Sequence, residues 1–226
     1  MEWEIGIMLH GCDISKWQGA DFDISEQDFV IAKATEGKTY VDTYFHHNIE
    51  KALKNNKLIG AYHYARPDNN SAKAEAKHFV NTIKAYVGKC LLALDWEGVA
   101  LSFPVTWALE WVKEVERLTG VKPLLYCSAS YIPECKLIAD NGNGIWVAKW
   151  AEVAPDVKPT FSVMAIWQYT SKPYDKDKFL GDAKAWQKYC NSDMVFTRPE
   201  EGSSSCGCAF CLDFKEWLKT HGYTKK

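Results

Sequence analysis

Leu91-Leu92-Ala93-Leu94-Asp95-Trp96-Glu97-Gly98 reads as an apolar strand that ends in two carboxylates one residue apart. Side chains alternate with a period of two along a strand, so Asp95 and Glu97 point to the same side. A continuous apolar run, rather than an alternating one, suits a strand covered on both faces in a parallel sheet.

Outward from this stretch, similar short apolar runs recur at residues 9–14, 29–34, 58–64, 123–127, 144–149 and 163–169, with a weaker one at 176–179. Helical patterns lie between several of them. Residues 43–56 carry apolar positions at helical spacing, 71–86 open with a serine N-cap, and 104–118 open with Ser102 and a proline in the first turn. This is the rhythm of βα units. After Tyr126 the helical segments shorten, so an α/β barrel with an irregular second half fits better than eight full units. The barrel is expected to occupy residues 1–182. Residues 183–226, with a Gly-Ser-rich break at 202–205 and a helix at 212–220, read as a short appendage.

The 226 residues are 47% hydrophobic and 14% aromatic, enough for one sizeable core. With 27 basic and 29 acidic residues the formal charge is -2, which gives no field to draw the chain onto nucleic acid. No apolar stretch approaches the roughly 18 residues of a membrane span, and the acidic Met1-Glu2-Trp3-Glu4 start leads us to expect no cleavable export signal. A monomer is expected. Eight cysteines without repeated spacing read as buried thiols rather than a disulfide scaffold. Cys206, Cys208 and Cys211, with Cys190, are a conceivable zinc set, but their spacing is not that of a standard knuckle. No metal and no cofactor are expected.

If the strand at 90–96 belongs to a parallel barrel, its acids lie at the C-terminal mouth, where such folds place active sites. Two carboxyls there divide the labour of glycosidic cleavage: one protonates the leaving oxygen and the other stabilises positive charge or positions a nucleophile. Mutual repulsion raises the pKa of one member and keeps it usable as an acid near neutrality. By themselves, acids at a strand end are equally well explained as solvated or capping groups. Two further acids tip the balance, because Asp13 follows the first strand, Asp175 lies just beyond the strand at 163–169, and a closed barrel brings first and last strands together. Four convergent acids without matching cations are costly unless they have a function. Aromatic residues recur at the same ends, and flat rings with a polar edge suit sugar stacking as well as core packing. His63, between two tyrosines, reads as a hydrogen-bonded core histidine, and His46 and His47 as a solvated helix face. Cys12, adjacent to Asp13 on the strand, should face the opposite side and is not a nucleophile.

At these residues the sequence resembles glycoside hydrolase family 25, the lysozymes of phage endolysins, bacteria and some fungi. Gly11-Cys12-Asp13-Ile14-Ser15-Lys16-Trp17-Gln18-Gly19 is similar to the family's first-strand motif, and Phe29-Val30-Ile31-Ala32-Lys33-Ala34-Thr35-Glu36-Gly37 to its second. Val41-Asp42 with Phe45 and Asn48, Gly60-Ala61-Tyr62-His63-Tyr64-Ala65, Asp95-Trp96-Glu97 and Ile166-Trp167-Gln168-Tyr169 continue the match in order over residues 9–180. The resemblance implies an irregular TIM-like β/α barrel with five βα units and three further strands. It implies cleavage of the β-1,4 bond between N-acetylmuramic acid and N-acetylglucosamine in peptidoglycan, with Glu97 as general acid. Asp95 would orient the substrate's N-acetyl group in a retaining, substrate-assisted reaction, although a direct nucleophilic carboxylate stays open.

Asp13 and Asp175 would complete the acidic floor. Trp17, Tyr62, Tyr64, Tyr126, Trp150 and Gln168 are expected to bind the glycan. Tyr174-Asp175-Lys176-Asp177-Lys178-Phe179 departs from the family's Val-Asp-Leu-Asn-Xaa-Phe, so Asp177 competes with Asp175 for the last acidic position. Within residues 183–226 no cell-wall-binding repeat is recognisable. The resemblance, with no export signal, points to an endolysin held in the host cytoplasm before release to the wall, or to an extracellular enzyme exported by other means. A glycan-binding module without turnover and an amidase acting on the wall's peptide are the rival readings.

Overall fold

The computed structural model describes residues 8–158 and 160–191. In chain order its elements are β1 (Leu9–Ile14), β2 (Phe29–Glu36), β3 (Tyr40–Val41), α1 (Phe45–Lys54), β4 (Leu58–Tyr64), α2 (Ala72–Ile83), β5 (Cys90–Asp95) and α3 (Val105–Thr119). They continue with β6 (Leu124–Ser128), α4 (Lys136–Asp140), β7 (Ile145–Ala148), β8 (Met164–Thr170), β9 (Lys176–Phe179) and α5 (Ala183–Cys190). The sheet order is β1-β9-β8-β7-β6-β5-β4-β2-β3, and β1 also pairs with β2, which closes the barrel. β3 stands outside the ring, on the end of β2. All barrel pairs are parallel except those of β9, which runs antiparallel to both β8 and β1. The irregular α/β barrel read from the sequence is therefore present.

Burial on both faces explains the continuous apolar strands. Phe29, Ile31, Leu91, Ala93, Leu124, Tyr126, Trp146 and Phe179 fill the barrel interior. Their neighbours Val30, Ala32, Leu92, Leu94, Leu125 and Val147 face the helices of the wall. Helix α1 buries Phe45, Ile49 and Ala52, spaced for one helical face, and α3 buries Ala108, Trp111, Val112 and Val115 in the same way. Helix α2 starts where Ser71 Oγ accepts from Ala74 N, and α3 stops at Gly120 in the left-handed region (φ 73°), its N–H bonded back to Glu116 O. The first of the five implied βα units has no α-helix. β1 is followed by a 3-10 turn, Lys16–Gln18, held by a capping box between Ser15 and Gln18.

Helix α5 follows residue 182, where the barrel is expected to end. Asp182 caps this helix by accepting from Ala185 N at 2.8 Å, and the helix lies under the barrel as part of the same compact unit. Its Trp186 is fully buried, with ring centroids 4.7 Å from Phe29 and 5.1 Å from Phe179. The sequence hid this because Trp186 is the one large apolar anchor in Ala183-Lys184-Ala185-Trp186-Gln187-Lys188. Cys190 is buried beside it. The helix expected at 212–220 and Cys206, Cys208 and Cys211 lie outside the described residues. The described cysteines are all buried and free. Cys12 packs in the wall layer, opposite Asp13. Among the described residues, no helix is long and apolar enough to cross a membrane.

Candidate active site

Strand alternation builds the site from β5. Leu91 and Ala93 point inward at successively higher levels, and Asp95 and Glu97 follow them into a cleft at the mouth. Glu97 keeps an extended backbone (φ -144°, ψ -175°), so the alternation runs on past the strand end. Trp96, between the two acids, points outward and packs on Trp107 at 5.6 Å. Gly98 then turns the chain at φ 56°, in contact with Tyr64, whose Oη would lie 2.6 Å from any added Cβ. Both constraints call for glycine there.

The cleft encloses about 320 Å³ and is lined by Asp13, Tyr62, Asp95, Glu97, Tyr126, Trp146, Trp150, Gln168, Ser171 and Asp175. Eight of these are residues expected from the sequence to act there. Of the other two, Trp146 is one of the strand-end aromatics that as a set suggest a sugar groove, whereas Ser171 was not singled out. Trp146 carries a signal, since it stands on β7 in register with Tyr126, whereas nothing in the loop after β8 marks Ser171. Two expected residues are not brought in. Trp17 stands on the 3-10 turn after β1, 81% exposed, under the Lys16 ammonium. Tyr64 lies beside the cleft, with Lys33 Nζ 4.6 Å from its ring centroid, but does not line it.

Gln168 connects the walls. Its Nε2 donates to Asp13 Oδ2 at 2.8 Å, while its Oε1 accepts from Trp150 Nε1 at 3.1 Å and from Tyr126 Oη at 3.2 Å. The amide's orientation is dictated by chemistry, because an indole N–H only donates and must meet the oxygen. Below this level Asp177 is fully buried, and its Oδ1 accepts from Trp146 Nε1 at 2.8 Å. The two candidates for the last acidic position differ in depth: Asp175 is half-buried and lines the cleft, whereas Asp177 lies beneath it.

Burial and crowding push the carboxyls toward their neutral forms. Asp13 is raised to about 7 by burial and then by Asp175, against the opposing hydrogen bonds from Gln168 and Asp177. Asp95 is raised well above the usual carboxylate range by burial and by Glu97, with Lys33 pulling the other way. Glu97 is raised by burial and by Asp175, again opposed by Lys33. Lys33 is itself paired with Glu36 at 2.7 Å. A half-buried carboxyl raised in this way is shifted toward the range in which such a group can serve as a proton donor.

His63 does not line the cleft. It is buried outside the barrel wall, Nδ1 bonded to Thr35 Oγ1 and Nε2 to Glu75 Oε2, both at 2.7 Å, and stacked on Trp111 at 5.3 Å. This clamp fixes the end of β4 and with it Tyr62 and Tyr64, while keeping a Thr-His-Glu arrangement away from any substrate. Among the described residues, no group of three or more His, Cys, Asp or Glu side chains is arranged to hold a metal ion.

A closed, mainly parallel barrel with paired carboxyls and aromatic side chains in a cleft at its C-terminal mouth is the architecture of a barrel glycoside hydrolase. The family model described as glycosyl hydrolases family 25 matches residues 12–178, and the chain belongs to that family. It is 29% identical to Lysozyme M1 of Streptomyces globisporus, the match covering 77% of this chain and 69% of that protein. A muramidase structure from Acremonium alcalophilum superimposes with a TM-score of 0.72 at 29% identity, covering 82% of this chain and all of the other. A family 25 lysozyme from Aspergillus fumigatus gives 0.67 at 27% identity, covering 81% of this chain and 99% of the other.

Proposed function

We propose that this chain hydrolyses the β-1,4 bond between N-acetylmuramic acid and N-acetylglucosamine in bacterial peptidoglycan, with retention of configuration. Glu97 donates its proton to the glycosidic oxygen as the bond to the anomeric carbon breaks. The carbonyl oxygen of the substrate's own N-acetyl group closes onto that carbon, and Asp95 orients and polarises the amide. Glu97, now a carboxylate, takes a proton from water as the water opens the ring intermediate from the first face. Atoms and charge balance without a cofactor.

The observation that carries this reading is the placement of Asp95 and Glu97 on one face of β5 and its extension, the first buried and the second half-buried with its pKa raised. Tyr62, Tyr126 and Trp150 supply the stacking surfaces of the cleft, and exposed Trp17 offers a further ring beyond it. The family relationship favours a cell-wall glycan over other β-linked sugars.

The test is digestion of purified cell walls followed by mass spectrometry of the reduced fragments, with wild type and Glu97→Gln. New muramic acid reducing ends, lost in the variant, are expected. Glucosamine reducing ends would make the enzyme a glucosaminidase, new amino groups would make it an amidase, and binding without any release would make it a glycan-binding module.

A further inference from the structure

Asp177 is a buried carboxyl that the proposed reaction does not use. One of its oxygens is held by the Trp146 indole, and the other, Oδ2, meets no protein donor. Asp177 is paired with Gly11 of β1 and with Gln168 of β8, and Asp13, two residues beyond Gly11 on the same face, receives that Gln168 amide and borders the cleft, so the two carboxyls are interior neighbours within hydrogen-bonding reach. Two carboxylates cannot bond to each other unless one carries a proton. That proton belongs on the deeper member. Asp177 has no contact with solvent, whereas Asp13 opens onto the cleft and already receives the Gln168 amide.

The surroundings leave the proton no other partner. From β1, Asp177 faces Asp13, while the Cys12 thiol, on the other side of that strand, is kept neutral by its burial. From β6 and β8 it feels the Tyr126 and Tyr169 phenols, both held neutral by burial, and β8 also places Gln168 opposite it. From β7 it meets Trp146. Just before its own strand Asp175 adds a like charge, while on the strand the Lys176 and Lys178 ammoniums lie over the rings of Tyr174 and Tyr169, 5.0 Å and 4.7 Å from their centroids.

We propose that Asp177 holds the single proton of a buried Asp13–Asp177 pair and donates it in a hydrogen bond to Asp13, so that Asp13 meets the cleft as an oriented carboxylate. Asp177 is then a positioning residue acting through Asp13, an inference that rests on reading the cleft as the catalytic site. The mutual bond acts in opposite senses on its two ends, opposing the burial that raises Asp13 to about 7 and adding to the burial that raises Asp177.

Two variants and two readouts test this. Infrared spectroscopy of the folded, substrate-free protein at neutral pH needs no turnover: a protonated-carboxyl band is expected in wild type and its Asp177 component is expected to vanish in Asp177→Asn. An unchanged band would overturn the proposal even if the enzyme were inactive. In wall digestion, Asp177→Asn keeps an N–H donor toward Asp13 and is expected to hold kcat within about 3-fold with the acid limb of the pH profile in place. Asp177→Ala removes the donor and is expected to lower kcat about 10-fold or more and to move the acid limb upward. If both variants lose activity equally while still folded, Asp177 acts as an ion and the proposal fails. If Asp177→Ala keeps the wild-type profile, the residue is only a filler and the proposal fails as well.

Discussion

The Gln168 amide donates to Asp13 Oδ2 at 2.8 Å while its other end accepts from Trp150 on the cleft wall. One side chain thus links the ionisation of a floor carboxyl to the position of a ring on the cleft wall. Gln168→Leu removes the donor, so the Asp13 carboxyl, already pushed up to about 7, rises further. The acid limb of kcat/KM should move to higher pH, with a loss of about 10–100-fold at pH 6 and partial recovery at pH 8. A loss of equal size at both pH values would show that Gln168 does not act through Asp13.

Trp150 is 64% exposed and packs little of its ring into the core. Trp150→Ala should therefore leave the melting temperature within a degree or so and raise KM several-fold, as expected for about 0.5–1.5 kcal/mol of lost stacking. Steady-state kinetics on soluble glycan fragments would separate this from an effect on kcat. A variant with unchanged KM would move the glycan away from this wall.

The acidic cluster should make the protein less stable as pH rises. Asp13 has a folded pKa of about 7 against an ordinary value of 3.8, so between those pH values the folded state holds a proton that the unfolded chain has released. Stability is then fullest below about pH 4 and declines as pH rises through 7. Asp95, Asp177 and Glu97 shift in the same direction. Asp13→Asn should melt higher than wild type at pH 8, by about 2–4 °C for each kcal/mol recovered, with the gap closing toward pH 4. Calorimetry across this range would refute the idea if the variant melted lower at pH 8.

Trp186 seals the barrel from below, remote from the mouth. Trp186→Ala should cost about 3–5 kcal/mol of stability, while kcat measured well below the melting transition stays near the wild-type value. Chemical denaturation and wall digestion on the same preparation would test both halves. A variant as stable as wild type would mean that the indole adds nothing to the floor.

The sequence was most readable where one physical pattern acted alone. β1, β4 and β9 begin and end at the residues expected, because each is an apolar or alternating run bounded by polar turns. Period two placed Asp95 and Glu97 together and Cys12 opposite Asp13 without any tertiary information. Depth was not readable. Asp175 and Asp177 are equivalent in a one-dimensional alternation, and only the antiparallel insertion of β9 between β8 and β1 sets one at the mouth and the other a level lower. Trp17 and Trp150 likewise look alike as aromatics after strands, yet a 3-10 turn carries one outward while a hydrogen bond to Gln168 ties the other to the cleft. Helix α4 escaped notice because it is a short continuation of the 3-10 segment Ala129–Cys135, which contains Pro133.

The pairing of Leu9 with Phe179 spans nearly the whole barrel sequence. While the chain is being made, the first strand therefore keeps one edge open until the ninth has emerged, and the Phe29 face stays wet until Trp186 follows. Such a ring cannot be completed by stepwise addition of finished units from the N-terminus. Its closure is a late, long-range event, and synthesis leaves greasy strand edges uncovered for most of its duration.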